Sequence, residues 1–163
     1  MKSVLFISLI LLTSCISRQA DYSDVQIETF KKNIMNNKDI NSYEDYSLYV
    51  INGEAPCDIL PYALRMKDVY PDAYYNLFYA FLKIDNKGEY SIHNLLKLQK
   101  PEQDLLVHYL EEGARKESSL CLGVLIELYK NEIYFEKNTK KLDSLEFVAD
   151  SLSKDFVENP KFE

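Results

Sequence analysis

Glycine and proline are scarce along this chain, and where they fall limits what it can fold into. Four glycines and five prolines serve 163 residues, and most fall between stretches of helical periodicity: Gly53 and Pro56, Pro71, Gly88, Pro101 and Pro160. No stretch shows sustained apolar–polar alternation between turn signals, so an all-α domain is expected, with no sheet. Helix 24–36 puts Val25, Ile27, Phe30, Ile34 and Met35 largely on one side, and helix 42–51 is expected to start from Asn41 or Ser42, with Asp45 three residues beyond Ser42. Helix 57–69 stops before Tyr70-Pro71, because the residue ahead of a proline is pushed out of the helical region. Helix 72–84 is apolar almost all round, the mark of a helix covered on most faces. A polar connector, 85–100, contains a short turn at 92–98. Helix 101–116 has Pro101 in its first turn, where the missing N–H costs nothing, and helices 117–131 and 140–157 follow.

The amino-terminal end reads differently. An apolar run at 4–12 stands behind Lys2 and closes on Leu12-Thr13-Ser14-Cys15. The run is too short for a permanent transmembrane helix, which needs roughly 20 apolar residues, and suits the core of an export signal. Its ending resembles the lipobox of bacterial lipoproteins. The resemblance implies that the Cys15 thiol is acylated, that the Ser14–Cys15 bond is cut, and that the new amino terminus is acylated in turn. A thiolate is the better nucleophile for that chemistry near neutral pH. Each buried methylene of the acyl chains contributes about 0.8 kcal/mol, so several chains anchor firmly. Ile16 follows the cysteine in place of the aspartate that retains many enterobacterial lipoproteins in the inner membrane, so the resemblance favours the outer membrane facing the periplasm, with the cell surface and the inner membrane as alternatives. The expected organisation is a signal peptide at 1–14, lipidated Cys15 and a tether at 15–23, a helical domain at 24–157 and a tail at 158–163.

The whole chain has 26 acidic and 19 basic side chains, a formal charge of −7, and loss of Lys2 with the leader makes it one unit more negative. Nucleic acid and anionic lipid surfaces both require a positive footprint, so neither is expected as a partner. What remains after the leader suffices for one domain with a continuous core. Cys57 and Cys121 could pair in an exported protein. They fall on elements about two repeats apart, beyond the roughly 7 Å Cα separation a disulfide allows, and are expected as free, buried thiols.

One offset stands out. From Tyr109-Leu110-Glu111-Glu112-Gly113-Ala114, a step of 36 residues reaches Leu145-Glu146-Phe147-Val148-Ala149-Asp150, with Gly113 and Ala149 as small residues four places after a large one. Between them Cys121, Leu125 and Tyr129 recur every four residues. This resembles the Sel-like repeat, a relative of the tetratricopeptide repeat, in which a small residue, a leucine and a tyrosine are spaced in this way. Its turn and second helix continue onto Phe135, Asn138, Lys141-Leu142, Leu145 and Ala149 without a gap. The chain departs from the family where Glu132 and Tyr134 replace the paired turn glycines and Ile126 replaces a helix glycine. A second unit starts at Ala73, Leu77 and Phe81 only if 85–100 is an insertion in its turn. The resemblance implies a short right-handed α-solenoid of about three helical hairpins, in which small positions let helices approach and large ones fill the gaps.

Motifs that carry chemistry are sparse. His108 has Glu111 and Glu112 at i+3 and i+4, but two ligand types on one face do not make a metal site, and a solvent-facing polar cluster is expected. With Gly88 as the sixth position of a calcium loop, the first ligand would be Lys83, which cannot coordinate calcium, so 85–89 reads as a turn. No phosphate loop, nucleophile elbow or zinc-protease histidine pair occurs, and nothing in the sequence brings Cys57 or Cys121 to His108. No catalytic residue, cofactor or metal is assigned. Thirteen tyrosines remain. Tyr43, Tyr46 and Tyr49 form one stripe, and Tyr75 and Tyr79 another; most are expected to fill a core that lacks tryptophan. If the first helix of each hairpin lines an inner wall, Tyr75 and Tyr79 are the candidate partner contacts. The expected role is non-catalytic binding of another envelope or secreted protein, as a scaffold or adaptor held to the membrane by its lipid. One alternative is an immunity protein that neutralises a toxin in the periplasm. Another is an enzyme acting on cell-wall precursors or β-lactams, although the cysteine pair that such relatives carry in each repeat is missing.

Overall fold

The computed structural model describes residues 22–51, 53, 55–84 and 89–158, with side chains to 154. Ser14, Cys15 and the expected signal peptide, most of the expected tether, residues 85–88 where a turn is expected, and residues 159–163 of the expected tail lie outside the described residues. The described chain is all-helical. Its α-helices are α1 (Asp24–Asn37), α2 (Ile40–Ile51), α3 (Leu60–Met66), α4 (Ala73–Ile84), α5 (Lys100–Arg115), α6 (Ser119–Lys130) and α7 (Thr139–Glu158), with 3-10 turns at Pro56–Ile59 and Ile92–Lys97. Among the described residues no helix is long and apolar enough to cross a membrane.

Helix boundaries follow local chemistry. Ser23 opens α1 through a capping box with Gln26, whose Oε1 accepts from the Ser23 N–H at 3.0 Å. The cap of α2 corrects the expectation. Neither Asn41 nor Ser42 caps it; Asp39 Oδ1 accepts from the Ser42 N–H at 2.7 Å, and Asp45 instead accepts from the Tyr22 hydroxyl at 3.0 Å. A carboxylate one helical turn earlier both satisfies an orphan donor and meets the positive end of the helix. The single helix expected at 57–69 is also corrected. Pro61 has no N–H to donate, so it stands in the first turn of α3, and the residues before it form the separate 3-10 turn.

Each helix packs on its neighbours in sequence, and α1 on α3, α2 on α4 and α4 on α6 also touch. Two buried clusters result, and α4 supplies both. Ala73, Leu77 and Ala80 face a core with Ile27, Ile34, Tyr43, Tyr46, Val50, Ile59, Ala63 and Met66. Tyr74, Phe78 and Leu82 face a second core with Leu106, Leu110, Leu122, Leu125, Leu128 and Leu145. The all-round apolarity of α4 is thus explained by its having two neighbourhoods to fill. Asn76 interrupts it, buried, and its Nδ2 donates to the Tyr43 hydroxyl at 2.9 Å, joining α4 to α2.

Candidate functional site

The residues singled out by the 36-residue offset lie together. Gly113 on α5 faces Cys121 on α6 so closely that a β-carbon there would stand 2.3 Å from the Cys121 Sγ and 3.0 Å from the Tyr74 Cβ. Leu125 is buried beside them, Tyr129 stacks on Phe135 at 4.1 Å, and Leu145 and Ala149 pack against the same core. Asn138 caps α7, its Oδ1 accepting from the Lys141 N–H at 3.0 Å. Glu132 and Tyr134, the two positions that depart from the glycines of the Sel-like pattern, adopt left-handed backbone with φ of 52° and 68°. Glu132 ends α6 in a Schellman motif, closed by the Ile133 N–H on the Leu128 carbonyl at 2.9 Å. Glu117 ends α5 in the same way, with φ of 68° and the Ser118 N–H on the Gly113 carbonyl. In the possible earlier unit Ala73 and Leu77 are buried, but Phe81 is exposed.

Cys57 and Cys121, the two described cysteines, are free. Cys121 is buried as expected, and burial pushes its thiol up to about 12, which removes the thiolate a nucleophile would need. Cys57 corrects the expectation of burial. It lies in the turn where Pro56 and Ile59 take the inward places, and its side chain is left exposed beside Asp58. His93, His108 and Glu111 are exposed, while Glu112 is paired with Arg115, which holds its carboxyl below the usual range. Among the described residues no three His, Cys, Asp or Glu side chains gather closely enough to hold a metal ion.

Two concavities are formed at helix junctions. One, of about 350 Å³, lies where α5, α6 and α7 meet; its apolar wall includes Leu122, Leu125, Leu145 and Val148, and Glu111, Arg115 and Lys141 give it a rim of mixed charge. The other, of about 370 Å³, crosses α2, α4 and α6, and Tyr75 lies in its wall. In the hairpin pairing expected from the Sel-like resemblance, these would be the first helices of their pairs. Glu44, Ser47, Leu48 and Ile51 contribute the α2 side, Tyr70 and Asp72 the entry to α4, Tyr75 and Asn76 the α4 side, and Leu120 the α6 side. Leu48 is 60% exposed and Leu120 45%, so an apolar side chain is open to solvent on either side of the groove.

The groove's electrostatics are one-sided. Among the described residues it is lined by Glu44 and Asp72 and by no lysine or arginine. Asp72 accepts a hydrogen bond from the Ser118 hydroxyl, tying the start of α4 to the cap of α6. Burial and a hydrogen bond to the Glu44 carboxylate raise the Tyr70 phenol, and burial raises that of Tyr75, with Tyr79, Cys121 and Glu127 adding to it. Tyr79 stands just beyond the groove. Its ring stacks on Tyr90 at 4.7 Å, tilts against Tyr75 at 5.8 Å, and lies 5.0 Å from the Lys83 ammonium. Tyr75 and Tyr79 are therefore brought together, but only Tyr75 is a wall of the groove. The Tyr43, Tyr46 and Tyr49 stripe is core: the first two are buried and the third is half-buried.

Sequence reasoning missed Glu44, Leu48, Tyr70, Asp72 and Leu120. One signal was available, since Glu44, Ser47, Leu48 and Ile51 fall at i, i+3, i+4 and i+7 on α2, a second face beside the tyrosine stripe. No family model, curated protein or solved structure matches the chain.

Proposed function

We propose that this chain is a lipid-anchored envelope protein whose α2–α4–α6 face docks another protein, as a scaffold or adaptor without catalysis. The observation that carries the reading is the groove itself, an apolar and tyrosine-lined surface built from three helices that are distant in sequence. Repeat architecture supports it, because stacked hairpins leave the first helices of successive pairs side by side along one face. The left-handed backbone at Glu132 and Tyr134, the Gly113–Cys121 approach and the Asn138 cap support the Sel-like reading of the carboxy-terminal hairpins. The lipobox resemblance supplies the address. Cys15→Ser should abolish labelling by a fatty-acid probe and release the protein from membranes with its helical circular dichroism unchanged; loss of the folded domain would refute the assignment.

Docking is tested with a photo-crosslinking amino acid placed in turn at Leu48, Leu120, Val25 and Phe147 of the full chain in its own cells. The same protein should be captured from Leu48 and Leu120 and not from the outer positions Val25 and Phe147. Capture from the outer positions alone would reject the groove. The acidic lining favours a second reading, an immunity protein that neutralises a basic secreted toxin. Under that reading, deleting the gene sensitises cells to a toxin encoded nearby, and absence of any such sensitivity counts against it.

A further inference from the structure

Among the described residues, lysines stand over the rings of four tyrosines, of which Tyr46 and Tyr74 are buried and Tyr79 and Tyr134 half-buried. Lys31 stands 5.9 Å from the Tyr46 ring, Lys67 and Lys116 lie 5.5 and 5.7 Å from Tyr74, Lys83 lies 5.0 Å from Tyr79, and Lys100 lies 3.9 Å from Tyr134. Each pairing sets an ammonium on the negative face of an aromatic ring. The groove has two further tyrosines, Tyr70 and Tyr75. Among the described residues no lysine or arginine stands over Tyr70 or Tyr75, although both rings line it beside the carboxylates of Glu44 and Asp72. Two tyrosines and two carboxylates, flanked by the exposed apolar side chains Leu48 and Leu120, thus share one concavity that among the described residues is lined by no lysine or arginine, with the Lys83 ammonium donating to the Ile51 carbonyl at 3.3 Å.

This inference rests on the reading of the α2–α4–α6 face as a docking surface. We infer that the groove takes a cationic segment of its protein partner, in which an arginine or lysine sits between the carboxylates and tyrosine rings and adjoining apolar side chains cover Leu48 and Leu120. Arginine fits best. Its planar guanidinium can stack on a tyrosine face while its edge donates to a carboxylate, a combination that an ammonium meets less well. The excess of acidic residues over the whole chain adds long-range attraction for such a segment, which speeds encounter more than it tightens the complex.

The test is selection of a random displayed-peptide library on the immobilised full chain, followed by titration of the winning synthetic peptides. Selected peptides should carry arginine or lysine next to an aliphatic or aromatic residue. Their affinity should fall about tenfold or more on Glu44→Lys, a charge reversal at an exposed helix position, and should weaken as salt screens the attraction. Leu48→Asp and Tyr75→Ala should weaken the same peptides, and circular dichroism of each variant checks that the fold is intact. Winners that respond to Leu48→Asp but carry no cation, or cationic winners indifferent to Glu44→Lys, overturn the charge assignment and leave the docking reading in place. Winners that ignore both Leu48→Asp and Tyr75→Ala, or no winners at all, overturn both.

Discussion

The two sides of α4 are packed by different means. Toward the amino terminus, tyrosines fill the space: Tyr43 meets Tyr70 edge-on at 5.5 Å, Tyr46 meets Tyr62 at 4.9 Å, and a buried hydrogen bond runs from Asn76 to Tyr43. Toward the carboxy terminus, leucines fill it, and helices close in where Gly113 offers no side chain to Cys121. Edge-to-face rings contribute about 0.5–1.5 kcal/mol each beyond the area they bury, but their hydroxyls need partners. Leucine packing has no such requirement and depends instead on shape. The regular small-and-large spacing belongs to the second kind of core, which is why the repeat resemblance is clear over 109–149 and fades upstream. The proposed docking surface is common to both, because α2 lies on one side, α6 on the other and α4 between.

The largest effects should come from truncating α4 itself. Phe78→Ala opens the leucine-rich core and should cost about 3–5 kcal/mol, and Leu77→Ala opens the tyrosine-rich core at about 2–5 kcal/mol. Urea unfolding of both variants should show one transition moved to lower denaturant; two transitions, with one left unmoved, would break the comparison into separate halves. Gly113→Ala comes next. The added methyl should force α5 from α6 and destabilise by about 1–3 kcal/mol despite alanine's better helix propensity, with partial recovery when Cys121→Ala removes the sulfur. An equal loss with and without Cys121→Ala would show that the close approach is not the cause.

A third contrast is alkaline. The Cys121 thiol, ordinarily near 9.0, is pushed up to about 12, so it is protonated in both folded and unfolded chains below pH 9. Above that the unfolded chain releases its proton first, and stability should fall as pH rises from about 9 toward 12. Burial raises the phenols of Tyr43 and Tyr70 as well, so the tyrosine-rich side adds loss in the same direction above their ordinary value of 10.0. Folded protein should therefore alkylate at Cys57 and not at Cys121 near neutral pH. Ready labelling of Cys121 without denaturant would contradict its burial.

The smallest effect should be a gain. A non-glycine residue in the left-handed region costs about 1–2 kcal/mol, and glycine returns part of that in chain entropy. Glu132→Gly should therefore stabilise by about 0.5–1 kcal/mol in thermal unfolding. A loss would mean that the Glu132 side chain supports the turn.

Much of the helical order was legible because apolar spacing and breakers agree over most of the chain. Helix α4 shows this best, since its lack of a polar face already required two neighbours. The cap at Asp39 was not legible, because Ser42 is as good a cap by residue type and only backbone geometry decides between them. Cys57 was misplaced since Pro61 divides its helix and turns the cysteine outward. The groove was the least legible feature. Tyr75 was visible as part of a stripe, but Glu44, Leu48, Asp72 and Leu120 meet it only after three helices have packed, and no local pattern encodes that meeting.

The central claim is that two unlike cores share α4 and so hold α2 and α6 as walls of one surface. Hydrogen exchange of the full chain, read by mass spectrometry as denaturant is raised from zero, tests it directly. Amides in α2, α4 and α6 should converge on one opening free energy, with α4 the last to exchange. Exchange of α1–α3 at a distinctly lower free energy, while α4–α7 stay protected, would contradict the claim.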